Sequence, residues 1–163
     1  MIKDSGKRRE FNTGAVRDIS EGKGRCDLLP LDIMSEYSYT GQKRHIDEIL
    51  LAINEYVRTG TIKSLFNVLD LISRKFYTFS DETMFLEVSK HYEEGCKKYG
   101  ERNWEKGIPL HCYIDSAVRH YLKHLRGDKD EPHDRAFVWN ILGAIWTHTN
   151  KPEMIDLPFK EDE

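Results

Sequence analysis

The 163-residue sequence lacks the features of disulfide-stapled, zinc-stabilised and membrane-spanning proteins. Its three cysteines, Cys26, Cys96 and Cys112, are odd in number and far apart, without CxxC spacing, so neither a disulfide framework nor a zinc site is indicated. No apolar run approaches the roughly 18 residues of a membrane span. The N-terminal stretch MIKDSGKRRE contains no apolar signal segment. We therefore expect a cytoplasmic protein that does not enter a membrane.

The sequence also lacks a strong excess of charge of either sign. Its 25 basic and 28 acidic residues leave a formal net charge of -3, which gives no reason to expect binding to a nucleic-acid polymer. An anionic ligand must then be met by a local group of basic side chains. The chain is long enough for one domain with a hydrophobic core.

Helical spacing of apolar residues dominates the chain after Pro30. Residues 1–29 are polar, basic and contain several glycines, so they form either a flexible tail or a segment that covers a ligand. Residues 30–150 carry apolar residues three and four positions apart, which predicts helices. Residues 151–163 form an acidic tail. Because no strand-like alternation extends beyond a few residues, we predict an all-α helical bundle.

Two carboxylates, Glu131 and Asp134, lie three positions apart where the last predicted helix begins. At about 100° per residue, Asp134 falls on the apolar face and Glu131 near it, whereas His133 points to the side. Acidic residues in a first turn commonly complement the helix dipole. A carboxylate that faces a core is costly unless a cation or metal pairs with it. Helix capping and metal binding therefore both stay open, and one geometry can serve both.

A second acidic group lies in the predicted helix that Ser80 caps and Gly100 ends. Glu93 falls at the edge of its core face, where it can face Glu131 and Asp134. The predicted core face of this helix comprises Phe85, Val88, Tyr92, Cys96 and Tyr99. The residues that follow Glu93 suit a phosphate ester beside a metal, and they are Lys97, Lys98, Arg102 and Asn103.

Three further features admit a functional and a structural interpretation. His120 and His124 are four apart, which fits either metal binding or a hydrogen-bonded pair at a core edge. Asp115 and Arg119 form either a surface ion pair or a phosphate contact. Trp104 either stacks on a nucleobase or fills a gap at the core edge.

Three sequence blocks, in this order, resemble the phage-associated dATP/dGTP diphosphohydrolase family. They are TGAVRDISEGKGRCDLLP, HYEEGCKKYGERNWEKGIP and YIDSAVRHYLKHLRGDKDEPHDRAFVWNILGAIW, and they cover residues 13–30 and about 88–148. The family is related to the MazG-like all-α nucleotide pyrophosphohydrolases. Relative to compact members, the helices at about 35–79 look like an insert.

The resemblance implies an enzyme that cleaves (deoxy)nucleoside triphosphates, with dGTP or dATP as substrate, to monophosphate and pyrophosphate. It further implies a divalent cation, Mg²⁺ or Mn²⁺, a homo-oligomer (dimer or tetramer) and a role in adjusting a phage or prophage nucleotide pool. MazG-like enzymes pair an EExxE helix with an ExxD helix. Glu131 and Asp134 match ExxD, and Glu93 and Glu94 begin EExxE, but Lys97 replaces its third glutamate.

The resemblance and the residue types together define the candidate site. The predicted metal ligands are Glu93, Glu94, Glu131 and Asp134, with Glu93, Glu131 and Asp134 as the catalytic carboxylates. The glycine-rich stretch EGKGR would fold over the nucleotide and bring two cations to the phosphates. The predicted substrate-binding residues are Lys23, Arg25, Lys97, Lys98, Arg102, Asn103, Trp104, Arg119 and His120.

Three alternatives remain. An HD-type phosphohydrolase would use the His133–Asp134 dyad, but it needs both side chains turned toward one metal, which the predicted facing disfavours. A non-catalytic protein that sequesters nucleotide on the same scaffold is favoured by Lys97. A helical interaction or structural protein is the third.

Overall fold

The computed structural model describes residues 5–36, 39–40, 43–44, 46–78 and 80–159. Over these ranges the chain forms six α-helices and two short β-hairpins, so the predicted all-α class is confirmed. The helices are α1 (Leu31–Glu36), α2 (Glu48–Thr59), α3 (Ile62–Phe76), α4 (Asp81–Tyr99), α5 (Leu110–Arg126) and α6 (His133–Asn150). Single 3-10 turns occupy Cys26–Leu28, Asn103–Lys106 and Pro152–Met154. No helix in the described ranges has the length and apolar character to cross a membrane.

Local sequence signals explain where the long helices begin and end. The Ser80 hydroxyl accepts a hydrogen bond from the Thr83 N–H at 3.2 Å and caps α4. Asp47 caps α2 through the N–H groups of Ile49 and Leu50. Gly127 ends α5 in the left-handed conformation, with φ at +86°. The α6 helix begins at His133, one residue later than predicted, with Pro132 just before it.

Helix α6 is the centre of the bundle, because it packs against α3, α4 and α5, while α2 packs on α1 and α3. Its buried residues therefore point in several directions, and no single apolar face exists. The helices α2 and α3 share this core, although their status as an insert stays a prediction. The largest fully buried side chains include Tyr56, Tyr113, Tyr121, Phe137, Ile53, Leu65 and Ile114.

At their crossing, α5 and α6 come into close contact through Gly143. A Cβ added to this residue would lie 2.3 Å from a ring carbon of Tyr113, well inside van der Waals contact. The absent side chain of Gly143 thus makes room for the Tyr113 ring between the two helices.

The predicted core face of α4 is wrong at two of its five positions. Phe85 is 48% exposed and Cys96 is also exposed, whereas Met84, Val88 and His91 are buried. The physical reason is that part of the inner side of α4 borders a polar cavity, where His91, Gly95 and Lys98 lie. The buried face is therefore rotated from the one that apolar spacing alone predicts.

The described N-terminal residues 5–29, here called the arm, are folded onto the helices. Strands β1 (Arg8–Glu10) and β2 (Val16–Asp18) form an antiparallel hairpin, which the sequence did not predict because three-residue strands are too short to show alternation. The second hairpin joins β3 (Tyr39–Thr40) and β4 (Lys43–Arg44). Ala15 in the arm is fully buried, and the Asn103 amide bonds both the N–H and the carbonyl of Val16, at 2.9 and 2.8 Å.

Candidate active site

A cavity of about 520 Å³ lies where the arm meets α4, α5 and α6. Seven basic side chains line it against three carboxylates, counted over the described residues. The basic residues are Arg9, Arg17, Lys23, Arg25, Lys98, Arg119 and Lys123, and the carboxylates are Asp18, Asp115 and Glu131. A chain of slightly negative net charge thus concentrates positive charge in one concave place, which favours an anionic ligand.

Two imidazoles and a carboxylate converge at one end of this cavity. The Nδ1 atoms of His120 and His133 are 3.0 Å apart. The Glu131 Oε1 atom lies 3.6 Å from Nδ1 of His120 and 3.7 Å from Nδ1 of His133. A tetrahedral cation about 2.1 Å from three donors places those donors about 3.4 Å apart. The triangle therefore has the size that one transition-metal ion requires.

The surroundings prepare these imidazoles to act as ligands. Burial lowers the pKa of His120 well below its usual value, so its ring is neutral at physiological pH. The Asp130 carboxylate accepts a hydrogen bond from Nε2 of His133 at 2.8 Å, and this bond lowers the pKa of Asp130 to about 2. A carboxylate on the outer nitrogen holds a histidine in the tautomer whose other nitrogen can bind metal. Nδ1 of His133 is that nitrogen.

Two of the predicted catalytic carboxylates, Glu93 and Asp134, do not join Glu131 in the cavity wall. The Glu93 side chain is 66% exposed and pairs with Lys97 one turn later. Asp134 accepts a hydrogen bond from the Tyr77 hydroxyl at 3.0 Å, on the α3 side of α6. Glu94, the fourth predicted ligand, is half-buried on α4 and is not part of the wall. The predicted facing of Glu93 on Glu131 and Asp134 is therefore not observed.

The predicted direction of His133 is wrong, because its side chain is only 1% exposed and points toward His120. The helical projection assumed a single apolar face, whereas α6 is enclosed on several sides. The HD dyad still does not converge, since His133 and Asp134 contact different neighbours. The geometry therefore argues against an HD-type centre. His133, which was predicted to point to the side, faces His120, whereas Asp134, which was predicted to face the site, contacts Tyr77.

Arg17 extends from the arm into the cavity wall. Its Nη2 donates to the Asn140 and Ser116 side chains at 2.9 and 3.2 Å, and its guanidinium lies over the rings of Tyr113 and Trp139. Its Nη1 is buried without a hydrogen-bond partner among the described residues. A half-buried guanidinium held by neutral groups, with one buried nitrogen unsatisfied, is suited to an anion.

His91 on α4 contributes a second unsatisfied polar atom. It is buried, and its Nδ1 has no hydrogen-bond partner within the described part of the chain. Burial lowers the pKa of His91 to about 4, so the ring is neutral and can both donate and accept one hydrogen bond. Because His91 and Arg17 both line the cavity, a bound ligand can satisfy both.

The glycine-rich part of the arm is held over the cavity by α5. Arg119 donates to the carbonyls of Lys23 and Gly24, both at 3.1 Å, and pairs with Asp115. The other oxygen of Asp115 accepts the N–H of Cys26 at 2.6 Å. The ion pair of Asp115 and Arg119 thus holds the arm in place, and both residues also line the cavity.

The other predicted substrate-binding residues are divided between the cavity and the surface. Lys23, Arg25, Lys98, Asn103, Arg119 and His120 line the cavity. Lys97 and Arg102 are exposed and pair with acidic residues of their own segments. Trp104 packs edge-on against Trp146, with ring centres 4.9 Å apart, so its contacts are those of the structural interpretation. Asn103 is occupied in holding β2.

Among the residues of the wall and the donor set that sequence reasoning missed are Arg9, Arg17, His91, His133 and Asn140. Arg17 could have been found, because it belongs to the recognised block TGAVRDISEGKGR. His91 gave no signal, since the predicted core face of α4 did not include it. His124 packs on Phe76 instead of joining His120 at the donor set, so the predicted HxxxH pair is not assembled.

Comparison with known proteins gives one match. Residues 69–157 match the family model described as dATP/dGTP diphosphohydrolase, N-terminal, over more than half of the chain. The matched range includes His91, His120, Glu131 and His133, and it excludes the arm. No curated protein and no solved structure matches the chain.

Proposed function

Because the chain belongs to the dATP/dGTP diphosphohydrolase family, we propose that it hydrolyses a purine deoxynucleoside triphosphate, dGTP or dATP, to monophosphate and pyrophosphate. One observation carries the proposal: a single cavity joins a group of basic side chains to a donor set that fits a divalent cation. Cleavage of a phosphoanhydride needs cations for the charge on the leaving pyrophosphate and a metal for the attacking water.

The size and the walls of the cavity support a nucleotide as ligand. Its volume, about 520 Å³, falls in the usual range of small-molecule sites, about 300–1,000 Å³. In the proposed complex, Arg17 and Lys23 bind the phosphates. The neutral ring of His91 hydrogen-bonds the substrate without adding charge.

The proposed reaction takes place between the α- and β-phosphates. A water oxygen bonds to the α-phosphorus, the bond from that phosphorus to the bridging oxygen breaks, and pyrophosphate leaves with the bridging oxygen. The Nη1 atom of Arg17, which has no hydrogen-bond partner among the described residues, can donate to the charge that develops on the departing group. Because Nη1 is shielded from solvent, its interaction with that charge is stronger than it would be in bulk water.

The donor set favours Mn²⁺ over Mg²⁺ as the metal. Mg²⁺ prefers oxygen ligands, and the four predicted carboxylates do not assemble into such a site. Two imidazoles and one carboxylate suit a first-row transition metal. When bound, the ion would neutralise phosphate charge and activate the attacking water. His120, Glu131 and His133 would hold it, and Asp130 would orient His133.

The second candidate is a protein that sequesters nucleotide without cleaving it. Lys97 in place of the motif glutamate favours this function. However, Lys97 lies outside the cavity and pairs with Glu93. The presence of lysine instead of glutamate at this position therefore leaves the cavity itself unchanged, which weakens the support for sequestration. The homo-oligomer, the phage nucleotide pool and the MazG-like relation stay predictions from resemblance.

Product analysis tests the proposal against its alternatives. Purified protein is incubated with Mn²⁺ or Mg²⁺ and a panel of deoxynucleotides and ribonucleotides. We expect monophosphate and pyrophosphate from dGTP or dATP, with turnover lost in Glu131→Gln. Release of inorganic phosphate without pyrophosphate would favour an HD-type enzyme. Intact nucleotide recovered on the protein would favour the sequestering function.

A further inference from the structure

Cys112 lies in a cluster of side chains that the proposed hydrolysis does not use. Arg9 Nη2 is 2.6 Å from its sulfur, and His111 Nε2 is 3.3 Å from it. The other ring nitrogen of His111, Nδ1, is 2.5 Å from Asp156 Oδ2. The backbone N–H of His111 donates to the second oxygen of Asp156 at 2.9 Å. Asp156 thus orients His111, and His111 and Arg9 both point at the sulfur.

The groups around the sulfur are cationic or carry partial positive charge. The contact with Cys112 and the hydrogen bond to Asp156 together raise the pKa of His111 to about 9, against the effect of burial. The ring is therefore an imidazolium at neutral pH and donates from both nitrogens. Cys112 is also the third residue of the 17-residue helix α5, where the helix dipole favours negative charge. Two cationic donors and a helix N-terminus are the surroundings of reactive cysteines.

Access to the sulfur is through the cavity, because Cys112 is only 7% exposed but lines its wall. A small reactant can reach it by that route. The other two cysteines, Cys26 and Cys96, have different surroundings. Burial raises the pKa of Cys26, and Cys96 is exposed on the outer side of α4.

We propose that Cys112 is a modification site, at which a hydroperoxide oxidises the thiolate to a sulfenic acid. The thiolate sulfur attacks one peroxide oxygen, the S–O bond forms and the O–O bond breaks. The sulfur loses two electrons and the peroxide gains them. The departing hydroxide or alkoxide takes a proton from the His111 imidazolium and leaves as water or alcohol. The inference does not rest on nucleotide hydrolysis.

The experiment compares the cysteines of one chain. Reduced full-length protein is treated with hydrogen peroxide, the sulfenic acid is trapped with a cyclic diketone, and each cysteine peptide is quantified by mass spectrometry. We expect Cys112 to be labelled roughly tenfold or more faster than the exposed Cys96, in spite of its burial. Equal labelling, or faster labelling of Cys96, would overturn the proposal.

Variants then test whether the cluster causes the reactivity. His111→Gln and Asp156→Asn should each slow labelling of Cys112 toward the rate at Cys96. The Asp156 side chain is 40% exposed, so its variant is the safer one for folding. His124→Gln, near the other end of α5, is the matched control and should leave the rate unchanged. Rapid labelling of Cys112 in both cluster variants would refute the assignment.

Discussion

His120 and His133 face each other with their Nδ1 atoms 3.0 Å apart, across the junction between α5 and α6. Two Nδ1 atoms at this distance share at most one hydrogen bond, and the Glu131 carboxylate beside them offers acceptors only. One cation can bind all three ligand atoms, the two Nδ1 atoms and a Glu131 oxygen, at the same time.

The three candidate ligands His120, Glu131 and His133 predict which side chains are needed for metal binding. Glu131→Gln and His133→Gln should weaken Mn²⁺ binding by about 100-fold or more, since changes even in the outer shell typically cost 10–100-fold. Isothermal titration calorimetry with Mn²⁺ measures the effect. Glu93→Gln and Asp134→Asn serve as controls with unchanged affinity. A large loss in Glu93→Gln would instead support the EExxE-type site.

Arg17 should be the arm residue on which nucleotide affinity depends most. Removing a hydrogen bond to a charged group costs about 1.5–3 kcal/mol, so Arg17→Gln should raise KM or Kd roughly 10- to 100-fold. Arg17→Lys should recover only part of this affinity, because an ammonium lacks the planar pair of donors. Binding titrations with dGTP give the values. The exposed Arg102→Gln is the matched control, and an equal loss there would contradict the assignment.

Stability should fall on the acid side because of His91. Its pKa is about 4 in the folded chain against an ordinary 6.5, so between these values the unfolded chain holds a proton that the folded chain does not. The free energy of unfolding therefore drops as pH falls from 6.5 to 4, by on the order of 3 kcal/mol. His120 shifts in the same direction. His111 shifts upward, so its stabilising contribution is already complete below pH 6.5.

Urea denaturation at several pH values measures this slope. In His91→Gln the contribution of His91 is absent, so stability should depend less steeply on pH between 4 and 6.5. An unchanged slope in the variant would show that His91 titrates normally in the folded chain.

Gly143→Ala should destabilise the fold, because the new methyl group meets the Tyr113 ring. Overpacking of this kind costs about 1–3 kcal/mol, to be measured from the urea midpoint. Since Arg17 lies over the same ring, the variant should also bind nucleotide less tightly. Gly95→Ala, where a Cβ would meet nothing within 4 Å, is the control in α4. Full stability of Gly143→Ala would mean that the two helices can separate at little cost.

Helix positions followed from the sequence, but the direction in which polar residues face did not. Ser80 and Gly100 mark helix ends by local chemistry alone, and the structure confirms both. The facing of His133 and Glu93 depends on how many neighbours enclose each helix, which is a tertiary property. A projection from one apolar face works for a surface helix and fails for the enclosed α6.

The residues that line the cavity could be predicted only in part, for a similar reason. Glu131, Lys23 and Arg25 lie within recognised blocks and line the wall. Arg9 reaches the cavity only because a short hairpin folds back on α5, and strands of three residues leave no period to detect. The pairing of His111 with Asp156 joins positions 45 apart, and no local pattern connects them.

The contact between Arg17 and Asn140 has a consequence for the order of assembly. These residues are 123 positions apart, so during synthesis the arm leaves the ribosome long before α6 exists. Loop closure over such a span is entropically costly and late. The helices can pair through nearer contacts first, and the arm docks last. We therefore expect the cavity to be the final part of the molecule to form.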